Sequence, residues 1–147
     1  MDRQKLDVDG GKFVNDAVVR NGTRDRRRGQ LRIFFGYSPG VGKTYAMLEA
    51  AIVPKRAGKR VLVGRAELHG SSDLASLLRE HDTLQAEARP LGDAYSRGFD
   101  LDVALAQNPD LILLDDLAHT NNAEDRNRKR WQDVEELLNA GIDVWTT

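Results

Sequence analysis

Apolar residues along this chain follow two rhythms, short unbroken runs and runs spaced three or four apart. Leu31-Arg32-Ile33-Phe34-Phe35 is a short, aromatic-rich run of the kind that forms a buried strand. From Thr44 to about Val53 the apolar positions Met47, Leu48 and Ala51 recur at helical spacing, and Pro54 predicts the end of that helix. Arg60 to Gly64 reads as a second buried strand. Ser71-Ser72-Asp73 supplies capping side chains for a helix carrying Leu74, Leu77 and Leu78. Residues 86 to 99, with Pro90, Gly92 and Gly98, are less regular. Phe99 to Ala106 has helical spacing, and Leu111 to Leu114 is the clearest core strand. Trp131, Val134, Leu137 and Leu138 mark an amphipathic helix ending near Gly141, and Ile142 to Thr147 opens a further strand.

Strands alternating with helices require crossover connections, which give a mainly parallel sheet covered on both faces. The expected fold is therefore α/β and three-layered. The sequence stops on an apparent strand, which suggests a piece, or a shortened version, of something longer. Residues 1–28 differ from the rest: polar, poor in aromatics, and without sustained periodicity apart from Phe13 to Val19. Arg20, Arg24, Arg26, Arg27 and Arg28 cluster there. Such a segment cannot offset its ordering entropy, so a flexible, solvated leader is expected rather than an arm docked on acidic lipid or nucleic acid. Residues 29–147 form the expected domain.

Composition narrows the function classes. Hydrophobic residues make up 40% and charged residues 31% of the 147, an ordinary globular balance. The net charge of -1 offers no general attraction to nucleic acid or anionic lipid. With no cysteine there are no disulfides, thiolate metal sites or cysteine nucleophiles. No apolar run approaches the roughly 20 residues that span a bilayer, and no secretory signal follows Met1. A cytoplasmic domain without membrane contact is expected.

The strongest chemical signal is Gly36-Tyr37-Ser38-Pro39-Gly40-Val41-Gly42-Lys43-Thr44, set between a strand and a helix. Glycines let the backbone curl with its N–H groups turned inward, and the next helix presents free N–H donors and a positive dipole end to the same anion. This pattern predicts a P-loop NTPase-like fold binding ATP with Mg²⁺ through Pro39, Gly40, Val41, Gly42, Lys43, Thr44 and Tyr45. Lys43 would reach the β- and γ-phosphates, and the Thr44 hydroxyl would ligate Mg²⁺. The usual G-x-x-x-x-G-K-[ST] pattern has glycine where Tyr37 stands.

About 70 residues downstream, Leu111 to Leu114 ends in Asp115 and Asp116, the form of a Walker B strand. Asp115 is the expected second Mg²⁺ position, and Asp116 the candidate catalytic group that positions or deprotonates water. His119 is a candidate γ-phosphate contact, with Thr120 and Asn121 as hydrogen-bonding neighbours. Glu67 and His69 are secondary candidates on the same sheet edge, and His81 is expected to be solvated. The basic segment from Glu124 to Arg130 is expected to be a flexible loop before a core Trp131, unless Arg126, Arg128 or Arg130 contacts phosphate or a partner.

These blocks together resemble a known family. Leu31 to Leu48, Glu67-x-His69-Gly70, Phe99 to Asp102 with Ala104-Leu105-Ala106, Leu117 to Asn121, and Lys129 to Leu138 with Ala140 to Val144 are similar to the N-terminal domain of the KdpD family. That family comprises the osmosensitive, potassium-sensing histidine kinases of bacteria. The resemblance covers residues 29 to 147 in one unbroken order. It implies a regulatory, ATP-binding cytoplasmic domain that modulates signalling to the regulator of a potassium pump. It also implies partners: the other domains of a sensor kinase, or a separate histidine kinase and response regulator. The family is anchored in the inner membrane through parts not found in these residues, which also carry no phospho-accepting histidine region or kinase ATP lid. Asp116 stands where the family usually has Glu, Leu68 where it usually has Thr, and the stretch after Asn121 lacks the usual Pro-Gly-Ser-Arg-His-Pro. These departures weigh against hydrolysis more than against binding. The expected switch is a nucleotide that orders the loop from Asp115 to Arg130; the alternative is a stand-alone Mg²⁺-dependent ATPase.

Overall fold

The computed structural model describes residues 28–36, 42–68, 70–84 and 99–147 in full, together with the backbone of four further short strands. In chain order the elements are β1 Leu6–Asp9, β2 Lys12–Asn15, β3 Leu31–Phe35, α1 Lys43–Ala50, α2 Ile52–Arg56, β4 Val61–Arg65 and α3 Ser72–Leu78. There follow β5 Asp82–Thr83, β6 Arg89–Leu91, β7 Ala94–Ser96, α4 Leu101–Gln107, β8 Leu111–Leu114, α5 Arg130–Asn139 and β9 Asp143–Thr146.

One sheet has the order β1-β2-β3-β9-β8-β4-β5. Its last five strands run parallel, while β1 and β2 extend it antiparallel beyond β3. Those two strands lie in the segment that reads as a polar leader. The hairpin β6-β7 falls in the irregular stretch and pairs only with itself. The last strand in sequence, β9, is inserted between β3 and β8, with Leu31 opposite Val144 on one side and Leu111 opposite Asp143 on the other.

Alternation along the strands builds two cores. Val61, Val63, Leu111, Leu113 and Phe34 pack with Met47, Leu48 and Ala51, on the face covered by α1 and α3. Leu62, Ile112, Leu114 and Val144 pack with Ala104, Val134, Leu137 and Leu138, on the face covered by α4 and α5. All four residues of β8 are buried. Each such aliphatic side chain contributes about 1.5–3 kcal/mol of transfer free energy, which explains why this run reads so clearly.

Local chemistry sets the helix ends. Ser71 Oγ accepts from Leu74 N at 3.2 Å, and Asp100 Oδ1 from Val103 N at 3.1 Å. Pro54 does not end a helix as expected; it lies inside α2. Within the first turn its missing N–H is one that has no intrahelical partner, so the ring is tolerated there and the break falls at Ala51 instead. A second correction concerns α5, where the buried stripe is Arg130, Asp133, Val134, Leu137 and Leu138. Trp131 is 52% exposed, so the inward face is rotated by one residue and an arginine takes the core position. His81 is also not solvated: it is buried, with Nε2 2.8 Å from the Leu48 carbonyl.

Two glycines are required by close approach. A Cβ at Gly29 would lie 1.9 Å from the Ile142 carbonyl oxygen, where the chain runs tightly beside the start of β9. A Cβ at Gly64 would lie 2.8 Å from the Phe99 ring, which sits directly on β4.

Candidate functional site

The carboxyl ends of β3, β4, β8 and β9 bring most of the candidate residues to one edge of the sheet. Gly42 precedes α1 with φ 79°, a left-handed conformation that glycine adopts without strain. Its carbonyl accepts from Ala46 N at 2.9 Å, so Lys43, Thr44 and Tyr45 form the first turn. The N–H groups of that turn have no partner within the helix. Pro39, Gly40 and Val41, like Tyr37 and His69, lie outside the described residues. Lys43 is half-buried and makes no hydrogen bond or ion pair among the described residues.

Asp115 is the centre of the site. Only 4% exposed, its carboxylate is surrounded by protein donors instead of water. The Thr44 hydroxyl lies 2.9 Å from Oδ2 and 3.1 Å from Oδ1, sharing one proton between them. Glu67 N donates to Oδ2 at 2.8 Å, and the Thr147 hydroxyl donates to Oδ1 at 2.5 Å. Thr44 and Asp115 are 71 residues apart in sequence and two strands apart in the sheet, since β9 separates β3 from β8. The Thr44 side chain at the start of α1 nevertheless reaches Asp115 at the end of β8.

Thr147 is a site residue that the sequence reading missed. Its hydroxyl also accepts from Asp116 N at 2.9 Å, and its carbonyl accepts from Leu117 N at 3.0 Å. No motif marks it, because its place follows from the insertion of β9. Glu67, a secondary candidate, enters through its backbone N–H, while its side chain pairs with Arg65 at 3.4 Å.

Asp116 has φ 61°, an uncommon conformation for a residue other than glycine, and turns the chain out of the strand. Its half-buried carboxylate makes no hydrogen bond among the described residues. His119 is held through its backbone, with its N–H to Asp116 O at 3.2 Å and its carbonyl accepting from Arg130 N at 3.0 Å. Thr120 and Asn121 turn to other partners: Lys129 Nζ donates to Thr120 Oγ1 at 2.6 Å, and Asn121 Nδ2 donates to Asp133 Oδ2 at 2.7 Å.

The segment before α5 is fastened, not a free loop. Asn127 Nδ2 donates to Asp133 Oδ1 and Glu136 Oε1, both at 3.0 Å. Arg126 bridges Asp102 of α4 at 2.7 Å and Glu136 of α5 at 2.5 Å. The sequence shows this stretch as polar and basic, but its counterions come from two separate helices. Arg28, at the domain's start, likewise pairs with Glu135 of α5 at 3.4 Å.

Among the described residues, no helix is long and apolar enough to cross a membrane. No group of three or more His, Cys, Asp or Glu side chains among them could hold a metal ion without help from a ligand.

Comparison with known proteins agrees with the order of the sequence blocks. Residues 27–147 match the family model KdpD, described as the osmosensitive K+ channel His kinase sensor domain. A sensor protein KdpD of Clostridium acetobutylicum is 48% identical over 124 residues, 84% of this chain and 14% of that protein. The sensor protein KdpD of Escherichia coli K12 is 48% identical over 120 residues, covering 82% of this chain and 13% of that one. One from Mycobacterium tuberculosis H37Rv is 42% identical over 121 residues, 82% and 14% of the two chains. The chain thus spans about one seventh of the length of these relatives. With its family model matched from residue 27 to the last residue, the chain belongs to the KdpD family, in the region of its sensor domain.

Proposed function

We propose that this domain is the nucleotide-binding regulatory module of a potassium- and osmosensing two-component sensor, taking ATP with Mg²⁺ at the carboxyl edge of β3 and β8. The observation that carries this reading is the contact of the Thr44 hydroxyl with the Asp115 carboxylate at 2.9 and 3.1 Å. A helix-start hydroxyl held against a strand-end carboxylate is the pairing a triphosphate-bound Mg²⁺ needs, and it joins two motifs that the sequence places far apart. With the parallel sheet and the glycine-rich connection from β3 to α1, it supports a P-loop NTPase-like fold.

The residues suit that ligand chemically. Mg²⁺ in such sites takes one or two protein oxygens and fills its shell with phosphate and water, so a dedicated protein cage is not required. Thr44 Oγ1 offers an inner oxygen. Asp115 has about four acceptor positions, and three donors already converge on it, which leaves room for a metal-bound water. Bound Mg²⁺ would supply charge neutralisation between the β- and γ-phosphates. Lys43, without a counterion among the described residues, is ready to meet phosphate. Because the segment before α5 is already fastened, the switch acts through the hydrogen-bond set of Asp115. That set ties β4 (through Glu67), α1 (through Thr44) and the residue after β9 (through Thr147) to one carboxylate. The partners that would read it are the other domains of a sensor kinase, or a separate histidine kinase with its response regulator, in keeping with the description of the matched family model as a His kinase sensor domain.

A second reading, a Mg²⁺-dependent ATPase, is favoured by the carboxylate of Asp116 beside Asp115, which makes no hydrogen bond among the described residues. Calorimetric titration with Mg-ATP followed by a phosphate-release assay separates the two, since binding without turnover is the result for the regulatory module. Lys43→Ala is expected to abolish binding and leave the circular dichroism spectrum unchanged. A variant that binds Mg-ATP as tightly as the parent would end the nucleotide reading.

A further inference from the structure

Arg130 is the one fully buried arginine among the described residues, 2% exposed, at the start of α5. Its guanidinium lies over the Phe99 ring, 5.2 Å from the centroid. Nε and Nη1 are buried and have no hydrogen-bond partner among the described residues. Asp133 Oδ2 is 3.8 Å from Nη1, too far for a hydrogen bond. The reason is that Asp133 is already satisfied by neutral donors, Asn121 on Oδ2 and Asn127 on Oδ1. Asp133 therefore balances part of the charge of Arg130 and none of its hydrogen-bonding capacity.

Leaving charged donors unsatisfied in a core is unfavourable, and a site that holds them is suited to a strong acceptor. The two unpartnered donors, not the net charge around them, are what point to an acceptor here, since Asp133, Asp125 and Asp116 all act on Arg130 as acids. Burial lowers the affinity of Arg130 for its own proton; Asp133, Asp125 and Asp116 oppose that, and nearby Arg65 adds to it. Arg65 ends β4, beside Glu67 and hence beside Asp115. Arg130 is linked to the strand end of β8 by its N–H to His119 O, and His119 N in turn donates to Asp116 O.

We propose that Arg130 receives the terminal phosphate of the nucleoside triphosphate, exchanging its loose pairing with Asp133 for direct hydrogen bonds and so distinguishing triphosphate from diphosphate. This rests on the nucleotide reading above and adds to it the residue that senses the γ-phosphate. The planar fork of arginine suits phosphate, and Asp133 keeps its bonds from Asn121 and Asn127 when Arg130 turns to the new acceptor. Trp131, the next residue and half exposed, would register the change.

The test compares Mg-ATP with Mg-ADP on the full chain and on Arg130→Gln, by calorimetry. Loss of charge-assisted bonds predicts that ATP affinity falls at least about tenfold, with ADP affinity nearly unchanged. An ATP-to-ADP ratio unaltered in the variant would overturn the assignment. If Arg130→Gln fails to fold, Arg130→Lys keeps the charge without the fork; its ratio should fall several-fold, and an unchanged ratio would again overturn the proposal. Binding of inorganic phosphate alone that Arg130→Gln abolishes, with the nucleotide ratio untouched, would assign a free-anion site instead. Absence of any Mg-ATP binding by the parent chain would refute the nucleotide reading itself, an outcome distinct from all of these.

Discussion

Thr44→Val is the sharpest test of the Asp115 cluster, because it removes one hydroxyl and keeps the side chain's shape. In the parent the hydroxyl gives a single proton, shared at 2.9 and 3.1 Å between the two oxygens of a buried carboxylate. A hydrogen bond to a charged group contributes about 1.5–3 kcal/mol. Thr44 is only half-buried, so water recovers part of that, and Glu67 N and Thr147 Oγ1 remain on Asp115. The net loss without ligand should be about 1 kcal/mol, or roughly 3–6 °C in Tm for a domain of this size. With Mg-ATP the difference should widen. Nucleotide at 100 times its Kd stabilises the folded parent by about 2.7 kcal/mol, and the variant loses that increment with its Mg²⁺ position. Thermal and urea unfolding with and without Mg-ATP should therefore show a gap growing from about 1 to about 3–4 kcal/mol. Thr44→Ser, which keeps the hydroxyl, should restore most of the ligand-dependent part. If Mg-ATP stabilises Thr44→Val as much as the parent, the pairing of Thr44 and Asp115 is a structural contact only, and the reasoning is refuted.

Other predictions test separate parts of the structure. Gly64→Ala places a methyl 2.8 Å from the Phe99 ring and should cost about 1–3 kcal/mol by overpacking, measured by urea denaturation; a neutral result would mean that Phe99 does not rest on β4. Arg126→Ala breaks two exposed ion pairs and should cost below about 1 kcal/mol, shrinking further in high salt, with a larger or salt-independent loss arguing for a buried role. Asp116→Glu lengthens the candidate water-positioning carboxylate and should raise the rate of phosphate release. An unchanged rate would remove residue 116 from that role.

The repeating pattern of the chain was sufficient for much of this. Leu111 to Leu114 is apolar at every position because β8 is buried on both faces, and Ser71 and Asp100 are capping residues because helix starts leave N–H groups unpaired. Thr44 and Asp115 stand out in the sequence as candidates because each sits at the end of a clear element, and the structure brings the two together. What could not be read depends on partners from elsewhere in the chain. Pro54 signals a helix end only if its N–H would have been needed, and in the first turn of α2 it is not. Trp131 and Arg130 are adjacent on α5, and a rotation of one position decides which enters the core; the Phe99 ring and Asp133 settle it for the arginine. Thr147 carries no motif, and it reaches Asp115 because β9 inserts between β3 and β8. Sequence alone determined the main alternation of strands and helices from Leu31 onward and the two-sided burial of the sheet, because both follow from apolar spacing within each segment. Tertiary structure alone decided strand order and helix rotation, because hydrogen-bond pairing and core packing are settled between segments that the sequence keeps far apart.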